Sequence, residues 1–206
     1  MKIETVVVGA LETNCYLVYC EETKQCAVVD PGADPEKILH TLLEMSLEPV
    51  VLINTHGHVD HIGANHDIKQ RFAVPLLLHK ADLPLLNNAL LSEVAFLLGA
   101  KASPEPDAFV TDGEEIRIGR QSLTVVATPG HSPGSISLKG DEFLLSGDTL
   151  FNDGVGRTDL PGGSWEELVE SIKSRIFILD GRTRVYPGHG PSTTVDREKK
   201  SNPFVR

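Results

Sequence analysis

Four apolar residues in succession, Val50-Val51-Leu52-Ile53, stop at Asn54-Thr55 and are followed at once by His56-Gly57-His58-Val59-Asp60-His61. An uninterrupted apolar run of strand length reads as a strand covered on both faces, so the chain must supply layers on either side of its sheet. The polar cluster then sits at the C-terminal end of a buried strand. Histidines at alternate positions of an extended turn direct two imidazoles to one point, while Asp60 and His61 face a second point a few ångströms away. Two metal ions can be held that way, and the pattern is rare by chance in a chain with eight histidines.

Three later segments supply what such a cluster lacks: Thr128-Pro129-Gly130-His131, Ser146-Gly147-Asp148-Thr149 and Tyr186-Pro187-Gly188-His189-Gly190. Each follows a predicted strand, and the glycines let the backbone bend tightly around a site. Alone, each reads equally well as a solvated turn. Together with the first cluster they give five histidines and two aspartates without a thiolate, a donor set suited to Zn(II), Fe(II) or Mn(II).

The rest of the 206 residues follows a strand-then-helix order repeated in both halves. Strands are expected near 2–8, 14–20, 25–30, 50–53 and 74–78, then a hairpin of 115–118 with 121–127, and strands near 135–139, 142–146 and 183–187. Helices are expected at 35–45, with Asp34 as N-cap and Pro35 at the first position, at 61–72, across the leucine-rich stretch 82–98, at 164–178 and at the C-terminus. Such an order fits an α/β fold with two sheets packed together and helices outside, expected as one domain over 1–206. The stretch 82–98, broken by Pro84, Asn87 and Glu93, is too short and polar to span a bilayer. A formal charge of −10 disfavours nucleic acid or anionic lipid as partner. Cys15, Cys20 and Cys26 have no Cys-x-x-Cys spacing and are expected as reduced core residues of a cytoplasmic protein.

With these segments in place, the sequence resembles the metallo-β-lactamase superfamily over nearly its whole length. The resemblance implies a four-layer αβ/βα metallo-β-lactamase sandwich with the site at one edge between the sheets. It implies that His56, His58 and His131 bind one metal, that Asp60, His61 and His189 bind the other, and that Asp148 bridges them. The superfamily's N-terminal elements are matched by Asn14-Cys15-Tyr16-Leu17 and by Asp30-Pro31-Gly32, which closes the third strand, and within the superfamily Gly147 to Phe151, Gly156-Arg157-Thr158-Asp159 and Glu198 to Pro203 look most like the glyoxalase II-like hydrolases. β-Lactamases with a cysteine ligand match less well, because Asp148 stands where a thiolate would be expected. Glyoxalase II proper adds a glutathione-holding helical domain, which is not expected here with 17 residues after His189. Persulfide dioxygenases share most of the signature but use a single iron bound in the pattern of His56, His131 and Asp148.

The resemblance therefore implies two divalent cations, zinc first with iron or manganese as alternatives. A hydroxide held between them would attack a thioester, such as S-lactoylglutathione, or a related ester. Asp60 and Asp148 are the expected catalytic carboxylates, and the dioxygenase is the competing reading. Arg157 is expected either to orient a ligand carboxylate or to meet an anionic substrate. Asp159 is expected as a turn residue, His40, His66 and His79 as bystanders, and Trp165 and Tyr186 as packing residues.

Overall fold

The computed structural model describes residues 1–89 and 101–205. Six strands form the first sheet in sequence order: β1 (Lys2–Val8), β2 (Thr13–Tyr19), β3 (Gln25–Val29), β4 (Glu48–Ile53), β5 (Leu76–His79) and β6 (Ala108–Val110). The first three pair antiparallel and the last four parallel. The second sheet runs β7 (Glu115–Ile118), β8 (Gln121–Ala127), β9 (Ile136–Lys139), β10 (Phe143–Gly147), β13 (Arg184–Pro187), β14 (Thr193–Thr194), and a small hairpin, β11 (Leu150–Phe151) with β12 (Gly154–Val155), lies between β10 and β13 in sequence.

Period-2 alternation divides the strands into faces. Tyr16, Val18, Ala27, Val29, Val51 and Ile53 pack between the sheets against Ile116, Leu123, Val125, Leu138 and Leu145. Their neighbours Cys15, Leu17, Cys26, Val28 and Leu52 point outward, against Ile38 and Leu42 of α1 (Pro35–Glu44) and Ile68 of α3 (Asn65–Phe72). On the far side Leu144 and Val185 meet Leu168 of α5 (Trp165–Ser171), Ile172 and Ile176 of the π-helical turn that extends it, and Val195 of α6 (Val195–Ser201). This is the four-layer sandwich expected, and each fully buried aliphatic side chain contributes about 1.5–3 kcal/mol. All three cysteines are buried and unpaired. No helix among the described residues is long and apolar enough to cross a membrane.

Several local expectations are corrected. The helix expected over 61–72 is two, α2 (Val59–Ile62) and α3, because Gly63 lies against the Gly32 turn; a Cβ there would come within 2.3 Å of the Gly32 carbonyl oxygen. Asp34 holds the N-cap position of α1 as expected, in a left-handed conformation, but its side chain makes no cap, the carboxylate accepting instead from the Gly9 amide at 2.8 Å. Of the stretch 82–98, Leu83–Asn88 is helix (α4), and residues 90–98 lie outside the described residues. Trp165 is 42 % exposed rather than packed, whereas Tyr186 does pack, edge-on to Tyr16. Strands β6, β11, β12 and β14 are too short to leave a periodic signal.

Candidate metal centre

Every residue of the candidate site follows the C-terminal end of a strand: His56, His58, Asp60 and His61 after β4, His131 after β8, Asp148 after β10 and His189 after β13. The two sheets are tied together at this edge by the Ile136 amide donating to the Thr55 carbonyl at 2.9 Å and the Asn14 amide to the Gly188 carbonyl at 2.8 Å. All seven side chains named from the sequence meet here. His56 Nε2 and His58 Nδ1 lie 3.2 and 2.8 Å from His131 Nε2. His61 Nε2 lies 3.4 Å from His189 Nε2 and 3.5 Å from Asp60 Oδ2, which is 3.2 Å from His189 Nε2. Asp148 stands between the groups, with Oδ1 3.4 Å from His61 Nε2 and Oδ2 3.6 Å from His131 Nε2.

The hydrogen bonds behind the rings fix which nitrogen carries the proton. His131 Nδ1 can only donate to the Arg157 carbonyl, at 2.7 Å, and His189 Nδ1 to the Leu11 carbonyl, at 2.9 Å. His61 Nδ1 faces the Asp30 carboxylate at 3.0 Å. Thr55 gives its hydroxyl proton to Asp30, so its oxygen accepts from His56 Nδ1 at 3.1 Å. In the neutral rings, four Nε2 lone pairs are thereby turned inward, toward one another and toward two carboxylates. Asp148 Oδ1 is buried and accepts no hydrogen bond among the described residues. Converging lone pairs and an orphaned carboxylate oxygen are what a cation satisfies, and the all-nitrogen-and-oxygen donor set fits a divalent ion.

Electrostatics follow the same division. Burial pushes the His56 imidazolium well below its ordinary range and that of His58 down to about 4, with the neighbouring histidines adding to both. Burial also opposes charge on His61, but Asp148, Asp60 and Asp30 outweigh it and raise His61 to about 10. Burial would raise Asp60, yet His61 and the His189 hydrogen bond hold its carboxyl well below the usual carboxylate range. The first group is thus three imidazoles, and the second carries its own anion.

Two glycines make the close approach feasible. A Cβ on Gly188 would lie 2.0 Å from Asp148 Oδ1, and one on Gly156 would lie 1.8 Å from the Asp148 carbonyl oxygen. The Arg157 guanidinium does not reach a ligand carboxylate. It forms a two-pronged pair with Asp159 at 2.7 and 2.6 Å, both side chains exposed, and it is the Arg157 carbonyl that braces His131. His40, exposed and paired with Glu44, and His66 and His79 stand outside the cluster. Asp30 has no expected role at the site, yet it accepts from the Thr55 amide and hydroxyl, both at 2.7 Å, as well as facing His61. Its appearance in a Pro-Gly turn masked that.

Two stacked sheets flanked by helices, with a histidine-rich cluster on strand ends at one edge, define a metal-dependent hydrolase architecture. The profile of the "Metallo-beta-lactamase superfamily" matches residues 8–194, and the chain belongs to that superfamily. Among its relatives, "Probable metallo-hydrolase YqgX" of Bacillus subtilis (strain 168) is 38% identical over 100% of this chain and 98% of that protein. "Hydroxyacylglutathione hydrolase GloC" of Haemophilus influenzae is 36% identical over 100% and 98%. The chain is similar to the BLEG-1 B3 metallo-beta-lactamase (TM-score 0.92, 36% identity, 99% of each chain covered) and to TTHA1623 in a di-iron-bound form (TM-score 0.90, 38% identity, 98% and 100% covered).

Proposed function

We propose that this protein, folded as one domain over 1–206, is a dinuclear hydrolase of thioesters or related esters, of the glyoxalase II-like kind. One observation carries the reading: both His56/His58/His131 and Asp60/His61/His189 are complete sets, and Asp148 stands between them, with Oδ1 3.4 Å from His61 Nε2 and Oδ2 3.6 Å from both His131 Nε2 and His189 Nε2. A site for a single iron on His56, His131 and Asp148 would leave Asp60, His61 and His189 without a task. Two divalent cations supply a nucleophile from water at neutral pH and polarise an acyl carbonyl. We assign zinc first, and the di-iron form of TTHA1623 supports iron as an alternative.

The chain's own residues hold that chemistry in place. Asp30, Thr55, Leu11 and Arg157 fix ring orientation, so that in the neutral rings the Nε2 lone pairs point inward. Leaving-group chemistry favours a thioester, because a thiol of pKa ~8.5 departs as thiolate whereas an amide nitrogen needs a proton donor. Asp159 is no such donor: the Arg157 hydrogen bond pulls it down to about 2, so it is an anion at neutral pH. The name of the Haemophilus relative supports a hydroxyacylglutathione. Recognition of its anionic glutathione portion should be weak, since Lys199 donates to the Phe177 carbonyl, Lys200 to Asp196, and Arg197 to Asn152 and Asp153. Three buried thiols suit a reducing cytoplasm.

The test is thiol release from S-lactoylglutathione by the metal-loaded protein, with and without oxygen. Oxygen-independent release with a high KM is expected. Oxygen consumption with glutathione persulfide and no thioester cleavage would establish the dioxygenase instead.

A further inference from the structure

Asp82 is a fully buried carboxylate not yet given a role, 0 % exposed, in the 3₁₀ turn Lys80–Asp82 that joins β5 to α4. Its Oδ2 accepts from the Gly57 amide at 2.9 Å and the Ser132 hydroxyl at 2.7 Å, and its Oδ1 from the Gly134 amide at 2.6 Å. Gly57 lies between His56 and His58, and Ser132 follows His131. All three donors therefore belong to the two loops that carry the three-imidazole group. The packing is close: a Cβ on Gly134 would come within 2.7 Å of Asp82 Oδ1, and one on Gly57 within 2.9 Å of the Asp82 carbonyl oxygen. Among the described residues, no lysine or arginine pairs with Asp82.

A desolvated carboxylate without a cationic partner is costly, and three neutral donors offset part of that cost. An asparagine could not match these contacts, because its amide nitrogen donates and would face either the Gly134 amide or the Gly57 amide and Ser132 hydroxyl; two accepting oxygens require a carboxylate, and its charge is met by no lysine or arginine among the described residues. His56, His58 and His131 bring none of their own while neutral, but they would hold a dication directly in front of the loops that Asp82 grips. The second group is different, having Asp60 among its members and Asp30 behind His61.

We propose that Asp82 is a positioning residue and counter-charge for the three-imidazole position, setting its metal affinity while leaving the Asp60/His61/His189 position alone. The proposal rests on the reading that both positions bind metal, which wild-type stoichiometry tests separately.

The experiment measures zinc per chain against a graded chelator in Asp82→Asn and Ser132→Ala, each also placed in His189→Ala and His58→Ala backgrounds, with circular dichroism and apo-protein melting as controls. For folded Asp82→Asn, affinity at one position should fall about 10–100-fold. That loss should persist in the His189→Ala background and vanish in the His58→Ala background. Ser132→Ala, informative even where Asp82→Asn does not fold, should weaken the same position at least about threefold. Equal weakening of both positions, or a lower apo melting temperature with unchanged affinities, would reduce Asp82 to a packing role and overturn the proposal, as would Ser132→Ala binding like wild type at both positions. A wild-type chain holding no metal on the three imidazoles would overturn the two-metal reading and this inference together.

Discussion

The contact between Gly188 and the Asp148 carboxylate gives the sharpest test. At Gly188 an added methyl group would sit 2.0 Å from Asp148 Oδ1 and 2.8 Å from His61 Cε1, where ordinary contact begins at 3.4 Å. In Gly188→Ala the methyl and the carboxylate must separate by about 1.4 Å, and metal ligands tolerate displacements of only ~0.2 Å. Overpacking of this kind costs ~1–3 kcal/mol in stability, but the larger effect falls on the metals, because moving Oδ1, which faces His61, also carries Oδ2, which lies 3.6 Å from both His131 Nε2 and His189 Nε2. We expect Gly188→Ala to lose at least about 100-fold in metal affinity, above the range typical for residues behind the ligands, and to lose turnover with it. Gly190 is the control: its φ of +74° strains any other residue, yet nothing lies within 4 Å of an added Cβ. Gly190→Ala should lower stability by ~1 kcal/mol and keep both metals. Metal content by mass spectrometry after gel filtration, read beside thermal melting, separates the two. A Gly188→Ala protein with two metals and wild-type turnover would refute the assignment of Asp148 as the shared ligand.

Asp148→Ala should abolish nearly all turnover while circular dichroism stays native, and His79→Ala, which removes only a 3.4 Å contact to the Ala81 amide, should be nearly silent; comparable losses in both would break the division between ligands and bystanders. Chelation should lower the melting temperature, since the ligands come from four separated segments whose lone pairs oppose one another without a cation; apo and holo forms melting within about a degree of each other would contradict this. Native protein should resist thiol reagents at Cys15 and Cys26, because burial pushes both thiols up, Cys26 to about 12. Mass mapping that finds either labelled as fast as in urea would show that the outer core of the first sheet opens readily.

The candidate ligands are legible because their signal is local. A His-x-His-x-Asp-His run after an apolar strand and two Pro-Gly-His turns each declare themselves within six residues, and the strands beneath them alternate cleanly enough to imply two stacked sheets. The residues that orient the ligands carry no such signal. Asp30 closes a strand before Pro31-Gly32, as many turn aspartates do, and reaches His61 only because β3 and β4 pair in parallel. Asp82 precedes Leu83-Pro84 and so has the appearance of an ordinary helix cap, yet α4 receives no side-chain cap from it. Arg157 misled in the opposite sense: an embedded arginine suggests a charged contact, whereas its backbone carbonyl holds His131 and its guanidinium holds Asp159. Side-chain chemistry can be read from sequence, but a backbone acceptor can be any residue at all.

The two ligand groups also differ in what must fold before they exist. The three-imidazole group is assembled from the ends of β4 and β8 and gripped by Asp82. His189 depends instead on the chain's first hairpin: its Nδ1 donates to the Leu11 carbonyl, and Thr13 bridges it in the sheet. Asn14 Nδ2 donates to the Pro187 and Gly190 carbonyls at 2.9 Å each, and the Tyr16 hydroxyl to Pro187 at 2.6 Å. These contacts join residues more than 170 positions apart, so closing that loop carries an entropic cost with no local helix or turn to offset it. The hydrogen bonds of Asn14 and Tyr16 offset part of that cost by ~1 kcal/mol each. A cation held jointly by Asp60, His61 and His189 would offset the remainder, because it ties the end of β13 to the end of β4. The same geometry that prepares the site for chemistry makes it the fastening between the two sheets, and the second position is where removing a metal should loosen the fold first.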